Sequence, residues 1–128
     1  MDLALLVLRL ALGSVFLYHG LMKRPMWKME PSEKMPANML SLMKFLSIVE
    51  PIGGLALILG FFTHFAALGI GFIMVGALYL KLTKWHTPFS AMNQTGWEFD
   101  LMNLAAAFTL FTFGGGAFSI DTIILQAI

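Results

Sequence analysis

The run from Phe45 to Phe62, FLSIVEPIGGLALILGFF, is apolar enough to cross a bilayer yet carries a carboxylate, Glu50, near its middle. A helical span takes roughly 20 residues at about 1.5 Å each, so the run has the length for it. No other feature limits the fold as much. A charge at mid-bilayer is expensive, so it faces protein and takes a partner. Pro51 follows and donates no backbone hydrogen bond, which releases the carbonyl of Ser47 beside Glu50. Gly53 and Gly54, three and four residues beyond Glu50, share its side of the helix and admit a close neighbour. Two readings stay open at this point: a kinked core helix with a structural ion pair, or a functional site that contains Glu50.

The rest of the chain is built to match. Of 128 residues, 59% are hydrophobic and 12% charged, against about 25% charged in ordinary soluble domains. Mean hydropathy is +0.82. A net charge of +1 without a basic cluster gives no footprint for nucleic acid. There is no cysteine, which excludes a disulfide framework, a thiolate metal site and a thiol relay run by this chain. Met1-Asp2 opens the chain without a basic n-region, and no small-x-small cleavage site follows the apolar run, so insertion without removal of a leader is expected.

Leu3 to Met22 is a first span, in which Arg9, Gly13, Phe16 and Gly20 fall on one stripe with His19 at its edge. Lys23 to Ala37 is polar and broken by Pro25, Pro31 and Pro36. Met22, Met26, Met29, Met35, Met39 and Met43 recur through it. Thioethers bind Cu(I), but the prolines split this stripe, so it reads as the greasy face of an interfacial segment and copper is not expected. Asn38 is a candidate N-cap for the second span, and Thr63-His64 reads as a tight turn to the third. Asn103 lies one turn inside a fourth, which Gly114-Gly115-Gly116 should fray or end before Ser119-Ile120-Asp121 caps a short tail. The prediction is an all-α integral membrane protein with a single domain over residues 1–128. It is an antiparallel four-helix bundle with spans at about 3–22, 39–62, 65–82 and 100–118. Gly13, Gly20, Gly53, Gly54, Gly69 and Gly76 are the expected helix-packing positions.

Lysine and arginine set the orientation. Lys23, Arg24, Lys28, Lys34, Lys81 and Lys84 occupy the first and third connections, with Lys44 just inside, whereas both termini and the Thr63-His64 turn have none. Long loops in the cytoplasm and both termini outside are therefore expected. From the helix rise, Arg9 would lie about 9 Å, Glu50 about 18 Å and His19 about 24 Å below the outer side. Arg9 is then expected to reach inward to pair with Glu50, and His19 to approach from the cytoplasmic side. These residues and Asn103 form a candidate intramembrane polar site. Lys23, His86, Glu98 and Asp100 form a candidate cytoplasmic mouth to the same cavity. His19 is the candidate for proton handling because imidazole titrates near neutral pH. No His-x-x-x-His spacing supports a metal site, and none is expected.

Arg9-Leu10-Ala11-Leu12-Gly13, then Phe16-Leu17-Tyr18-His19-Gly20 with Lys23, Glu50-Pro51-Ile52-Gly53-Gly54-Leu55, Gly60, Thr63 and Ala66-Ala67 stand in order along the chain. His86, Phe89, Gly96-Trp97-Glu98-Phe99, Gly114-Gly115-Gly116 and Ser119-Ile120-Asp121 follow. In this order they resemble the DoxX family of small four-helix membrane proteins of bacteria and archaea, although that family more often has arginine where this chain has His64. The resemblance implies a multi-pass protein of the prokaryotic cell (inner) membrane with respiratory or redox character, since the family name attaches to a subunit of thiosulfate:quinone oxidoreductase. It implies no catalytic residue.

The favoured reading is an accessory or anchoring subunit of a quinone-linked redox complex, with quinone as the ligand and no covalently bound cofactor. Without cysteine, a haem-attachment motif or a dinucleotide fingerprint, the electrons would come from a partner, so the chain is less an enzyme than part of one. Two alternatives stand beside it: a scaffold recruiting a partner protein through its basic loops, and an oligomeric small-molecule carrier. The expected partners are the lipid bilayer and other membrane or redox subunits or further copies of the chain.

Overall fold

The computed structural model describes residues 1–33, 35–90, 92 and 95–127; Lys34, counted above for orientation, lies outside them. Among the described residues every regular element is a helix. In order they are α1 (Asp2–Met22), a short 3-10 turn (Arg24–Lys28), α2 (Ala37–Leu59), α3 (Thr63–Thr83), α4 (Trp97–Phe113) and α5 (Ile120–Ala127). Three are long and apolar enough to cross a membrane: α1 with the 3-10 turn, α2 and α3. The segment α4 has 17 residues.

Helix ends depart from expectation for local reasons. α2 stops at Leu59, short of Phe62, because Gly60 takes a left-handed conformation with φ of 71°. Gly60 N–H then donates to Leu57 O and Phe61 N–H to Ala56 O, a Schellman closure. Thr63 and His64 are the first residues of α3, not a turn, and the reversal runs through Gly60, Phe61 and Phe62. The strained left-handed Phe62 (φ 49°) is held by Asp121, whose two carboxylate oxygens accept from Phe62 N–H at 2.5 Å and Thr63 N–H at 2.7 Å. Asn38 does not cap α2. That helix starts two residues earlier than expected, at Ala37 behind Pro36, and Asn38 Oδ1 accepts from Met39 N–H. α4 ends at Phe113, where Gly114 turns with φ of 78°, and Ser119 Oγ accepts from Thr122 N–H at the start of α5.

Packing follows the stripe read in α1, where Arg9, Gly13, Phe16 and Gly20 are all buried. A Cβ on Gly13 would lie 2.5 Å from Gly54 O, and one on Gly54 2.5 Å from Gly13 O, so only glycine allows this approach of α1 to α2. Gly20 is pressed on the ring of Pro51. The pairs Arg9–Ile58, Gly13–Gly54, Gly20–Pro51, Lys23–Glu50 and Trp27–Ser47 join α1 and the 3-10 turn to α2. His64–Phe111, Gly71–Leu104 and Lys81–Asp100 do the same for α3 and α4. Between these two pairs sits a core that includes Leu12, Phe16, Leu57, Ile70, Ala107 and Leu110. At Gly53 the packing is not tight, since a Cβ there would meet Ile70 at an ordinary 3.6 Å. Gly69 and Gly76 are corrected: both are exposed, with nothing within 4 Å of where a Cβ would stand. Their heptad spacing puts them on one face of α3, but that face looks outward. Large exposed side chains such as Val7, Ile52, Phe72 and Phe108 cover the outer surface, which suits lipid.

Candidate functional site

Arg9 and Glu50 do not meet. Arg9, fully buried, donates to Leu57 O (3.2 Å), Ile58 O (3.3 Å) and Phe118 O (2.7 Å). The reason lies in where α2 stops: Ile58 O lacks a helical donor and Leu57 O, which takes Gly60 N–H, keeps a second lone pair, and both carry the negative end of the helix dipole. A guanidinium opposite them finds three acceptors without reaching for a distant carboxylate. Arg9 therefore ties α1 to the end of α2 and to the segment beyond α4.

Glu50 instead pairs with Lys23, Oε2 to Nζ at 2.9 Å, with side chains 4% and 21% exposed. On the other helix pair, Lys81 Nζ lies 2.6 Å from the buried Asp100 Oδ2, off hydrogen-bond geometry. It donates to Thr95 Oγ1 at 3.2 Å and to the Thr95 and Gly96 carbonyls at 3.4 Å. Both ion pairs border one cavity of about 540 Å³, together with His19, Phe99 and Thr95. Its remaining wall is apolar and includes Phe16, Leu46, Met74 and Leu80. The volume lies within the range of about 300–1,000 Å³ common for small-molecule sites.

Local structure places each polar group. The first N–H groups of α4 are met from outside the helix: Trp97 N–H donates to Pro88 O and Glu98 N–H to Phe89 O. A Cβ on Gly96 would collide with those same carbonyls, so glycine is needed there. This anchoring sets Phe99 and Asp100 on the cavity side. The Phe99 ring stands 5.1 Å from that of His19 and 5.7 Å from Lys81 Nζ. On the first pair, Trp27 Nε1 donates to the buried Ser47 Oγ at 2.8 Å, and Lys44 Nζ lies 5.5 Å from the Trp27 ring. The 3-10 turn after Lys23 is thereby pinned on α2.

Two lysines and two carboxylates leave the wall with no net fixed charge. Half-buried His19 packs by ring contacts, on Tyr18 and Phe99, with no hydrogen bond to a described residue. The cavity can thus hold a neutral molecule with hydrogen-bonding groups at one end, offered ammonium donors and an imidazole.

Of the expected site residues, the structure brings His19, Lys23, Glu50 and Asp100 together. The separate intramembrane and mouth sets are thus redrawn as one site. Arg9 belongs to the opposite end. Asn103 is buried one turn beyond Asp100 on α4, but it lies outside the cavity wall and its Nδ2 has no hydrogen-bond partner among the described residues. Glu98 is outside the wall as well, because two residues from Asp100 is more than half a turn of helix. His86 is exposed in a left-handed conformation beyond α3 and also outside it. Lys81 and Phe99 went unread as site residues. The available signal was a lysine at the end of the third apolar run facing an aspartate at the start of the fourth. Among the described residues no three His, Asp or Glu side chains converge as metal ligands.

No curated protein and no solved structure matches this chain. The DoxX family profile matches residues 4–85, which takes in α1, α2 and α3 with Lys23, Glu50 and Lys81 and leaves out α4. On that match, which covers well over half of its length, the chain belongs to the DoxX family.

Proposed function

We propose that this DoxX-family protein is an accessory or anchoring subunit of a quinone-linked redox complex, and that the cavity at its basic end receives the quinone ring. The carrying observation is the placement of His19 and Phe99 between two internally neutralised ion pairs in a cavity with otherwise apolar walls. An anion would need unpaired positive charge, and both ammonium groups already face carboxylates. A neutral ring with carbonyl oxygens meets donors that keep hydrogens to spare, since an ammonium has three. The residues present therefore fit a quinone.

A bound quinone supplies a two-electron, two-proton couple. The chain's part is to hold the ring beside Phe99, to keep Lys23 and Lys81 charged against Glu50 and Asp100, and to hold or yield a proton at a ring nitrogen of His19. Electrons come from a partner subunit, as this chain has no cysteine to hold an iron–sulfur cluster.

The membrane arrangement belongs to the same reading. The two helix pairs form an antiparallel four-helix bundle in a prokaryotic cell membrane, a single domain over the whole chain. α4, at about 26 Å, is the shortest span that suffices. The basic end, with Lys23, Arg24, Lys28, Lys81 and Lys84, faces the cytoplasm and both termini face outward.

The test is to purify the protein in mild detergent and measure quinone per chain in the lipid extract, together with co-purifying redox proteins. The expected result is quinone near one per chain, reduced several-fold by His19→Ala without loss of folded protein. Quinone no higher than in an unrelated membrane protein purified alongside would refute the reading.

A further inference from the structure

We propose that the cavity opens sideways into lipid between α2 and α3, and that its occupant's apolar tail leaves through this gap, with Gly76 as the residue that keeps it open. The inference rests on the quinone reading and names the part of the ligand that reading leaves out.

The two helices are joined through Gly60, Phe61 and Phe62 at the Arg9 end, and as far as Gly53 a Cβ would still reach Ile70 at 3.6 Å. They share a much shorter contact than α1 with α2 or α3 with α4. Towards the basic end the cavity lies between them. Its wall is Leu42, Met43, Phe45 and Leu46 on one side, and Phe72, Ile73, Gly76 and Tyr79 on the other. Four of these side chains belong at once to the cavity wall and to the outer surface: Leu42 is 39% exposed, Phe45 60%, Phe72 69% and Tyr79 66%. Wall side chains that turn this much of their surface outward border the cavity without sealing it. Gly76 stands in the breach, with nothing within 4 Å of where its Cβ would point.

What passes the breach is apolar. Its rims are aromatic and aliphatic, and in a bilayer this side of α2 and α3 faces acyl chains rather than water. The polar groups that meet the ring, His19, Lys23, Glu50, Lys81 and Asp100, are in the same cavity. A ligand filling both parts has a neutral polar ring and a prenyl or alkyl tail continuous with the lipid phase. Such a molecule reaches the site from the membrane, with no need to cross the aqueous loops.

A leucine at position 76 would place its side chain in the opening. The helical backbone tolerates it, as Gly76 is not among the positive-φ glycines. Gly69 is the control: it is equally exposed on the same helix, also without neighbours, and lies outside the cavity wall.

The experiment titrates the full chain, in detergent micelles, with a decyl-tailed benzoquinone and with the tail-less benzoquinone. The readout is quenching of tryptophan fluorescence, since Trp85 lies in the wall. Gly76→Leu should weaken the decyl-tailed quinone by about tenfold, the loss expected when roughly two methylenes lose their place. The tail-less probe should be affected less than about threefold, and Gly69→Leu should alter neither. Undiminished affinity of Gly76→Leu for the decyl-tailed quinone overturns the gap while leaving the ring site standing. So does an equal loss for both probes, which would place residue 76 at the ring. If the wild-type chain binds neither probe, the quinone reading falls and takes the gap with it.

Discussion

Lys23 and Glu50 form a buried pair whose two halves are not equally replaceable, and this asymmetry is open to measurement. At 2.9 Å the attraction is on the order of 6 kcal/mol for an effective dielectric of about 20. Desolvation of the carboxylate, whose side chain is 4% exposed, cancels most of that. Lys23→Met strands Glu50 in an apolar wall and should cost about 3 kcal/mol, the low end for a broken buried pair because the lysine is partly exposed. Glu50→Met should cost less, about 1.5 kcal/mol, since the lysine stem can carry its ammonium out to the headgroups. The double variant replaces the pair by two thioethers and should fall within about 1 kcal/mol of wild type, giving a coupling of about 3.5–5.5 kcal/mol. The assay is thermal or denaturant unfolding in mild detergent across the four proteins. In contrast, Arg9→Met and Glu50→Met should add within about 0.5 kcal/mol, because Arg9 lies about 21 Å along α1 from Lys23. Additive effects of Lys23→Met and Glu50→Met, or coupling between Arg9 and Glu50, would refute the assignment of partners.

Three further outcomes follow from the packing. Arg9→Met leaves the Ile58 and Phe118 carbonyls without a donor, while Leu57 O keeps Gly60 N–H, and should destabilise by about 3 kcal/mol, with Arg9→Lys intermediate because one ammonium cannot span all three acceptors, as read from unfolding midpoints. Gly54→Ala should cost about 2–3 kcal/mol, since its methyl would meet the Gly13 carbonyl, whereas Gly69→Ala should gain about 0.5–1 kcal/mol from helix propensity alone; opposite shifts in midpoint are the check. Asp121→Asn weakens the cap on α3 by about 1 kcal/mol, and amide exchange at Phe62 and Thr63 should quicken while that in α4 does not.

Much of the molecule was legible from where charges and glycines interrupt apolar runs. The stripe of Arg9, Gly13, Phe16 and Gly20 identified the buried face of α1, and His19, Lys23, Glu50 and Asp100 were singled out before their meeting was seen. Their partners were not, because pairing depends on register. Depth estimates separated Arg9 from Glu50 by about 9 Å, and a long side chain was expected to close the difference. The closure at Gly60 decided otherwise by ending α2 beside Arg9, where Ile58 O and the second lone pair of Leu57 O accept from the guanidinium. Glycine spacing in α3 showed that Gly69 and Gly76 share a face, yet spacing carries no information on whether that face meets protein or lipid. Lys81 was weighed only for orientation, since nothing in one helix reveals that the next places Asp100 opposite it.

The central claim is that a quinone ring lodges at the basic end of the bundle, and photo-crosslinking tests it most directly. Irradiation of the purified protein with an azidoquinone, followed by peptide mapping, should label stretches that contain Phe16 and His19, Leu46 and Glu50, Ala77 and Leu80, or Phe99 and Asp100. Excess unlabelled decyl-tailed benzoquinone should abolish the labelling. Label concentrated instead in a separate cavity lined by Phe62, Phe65 and Phe113, or spread evenly over the lipid-facing surface, would contradict it.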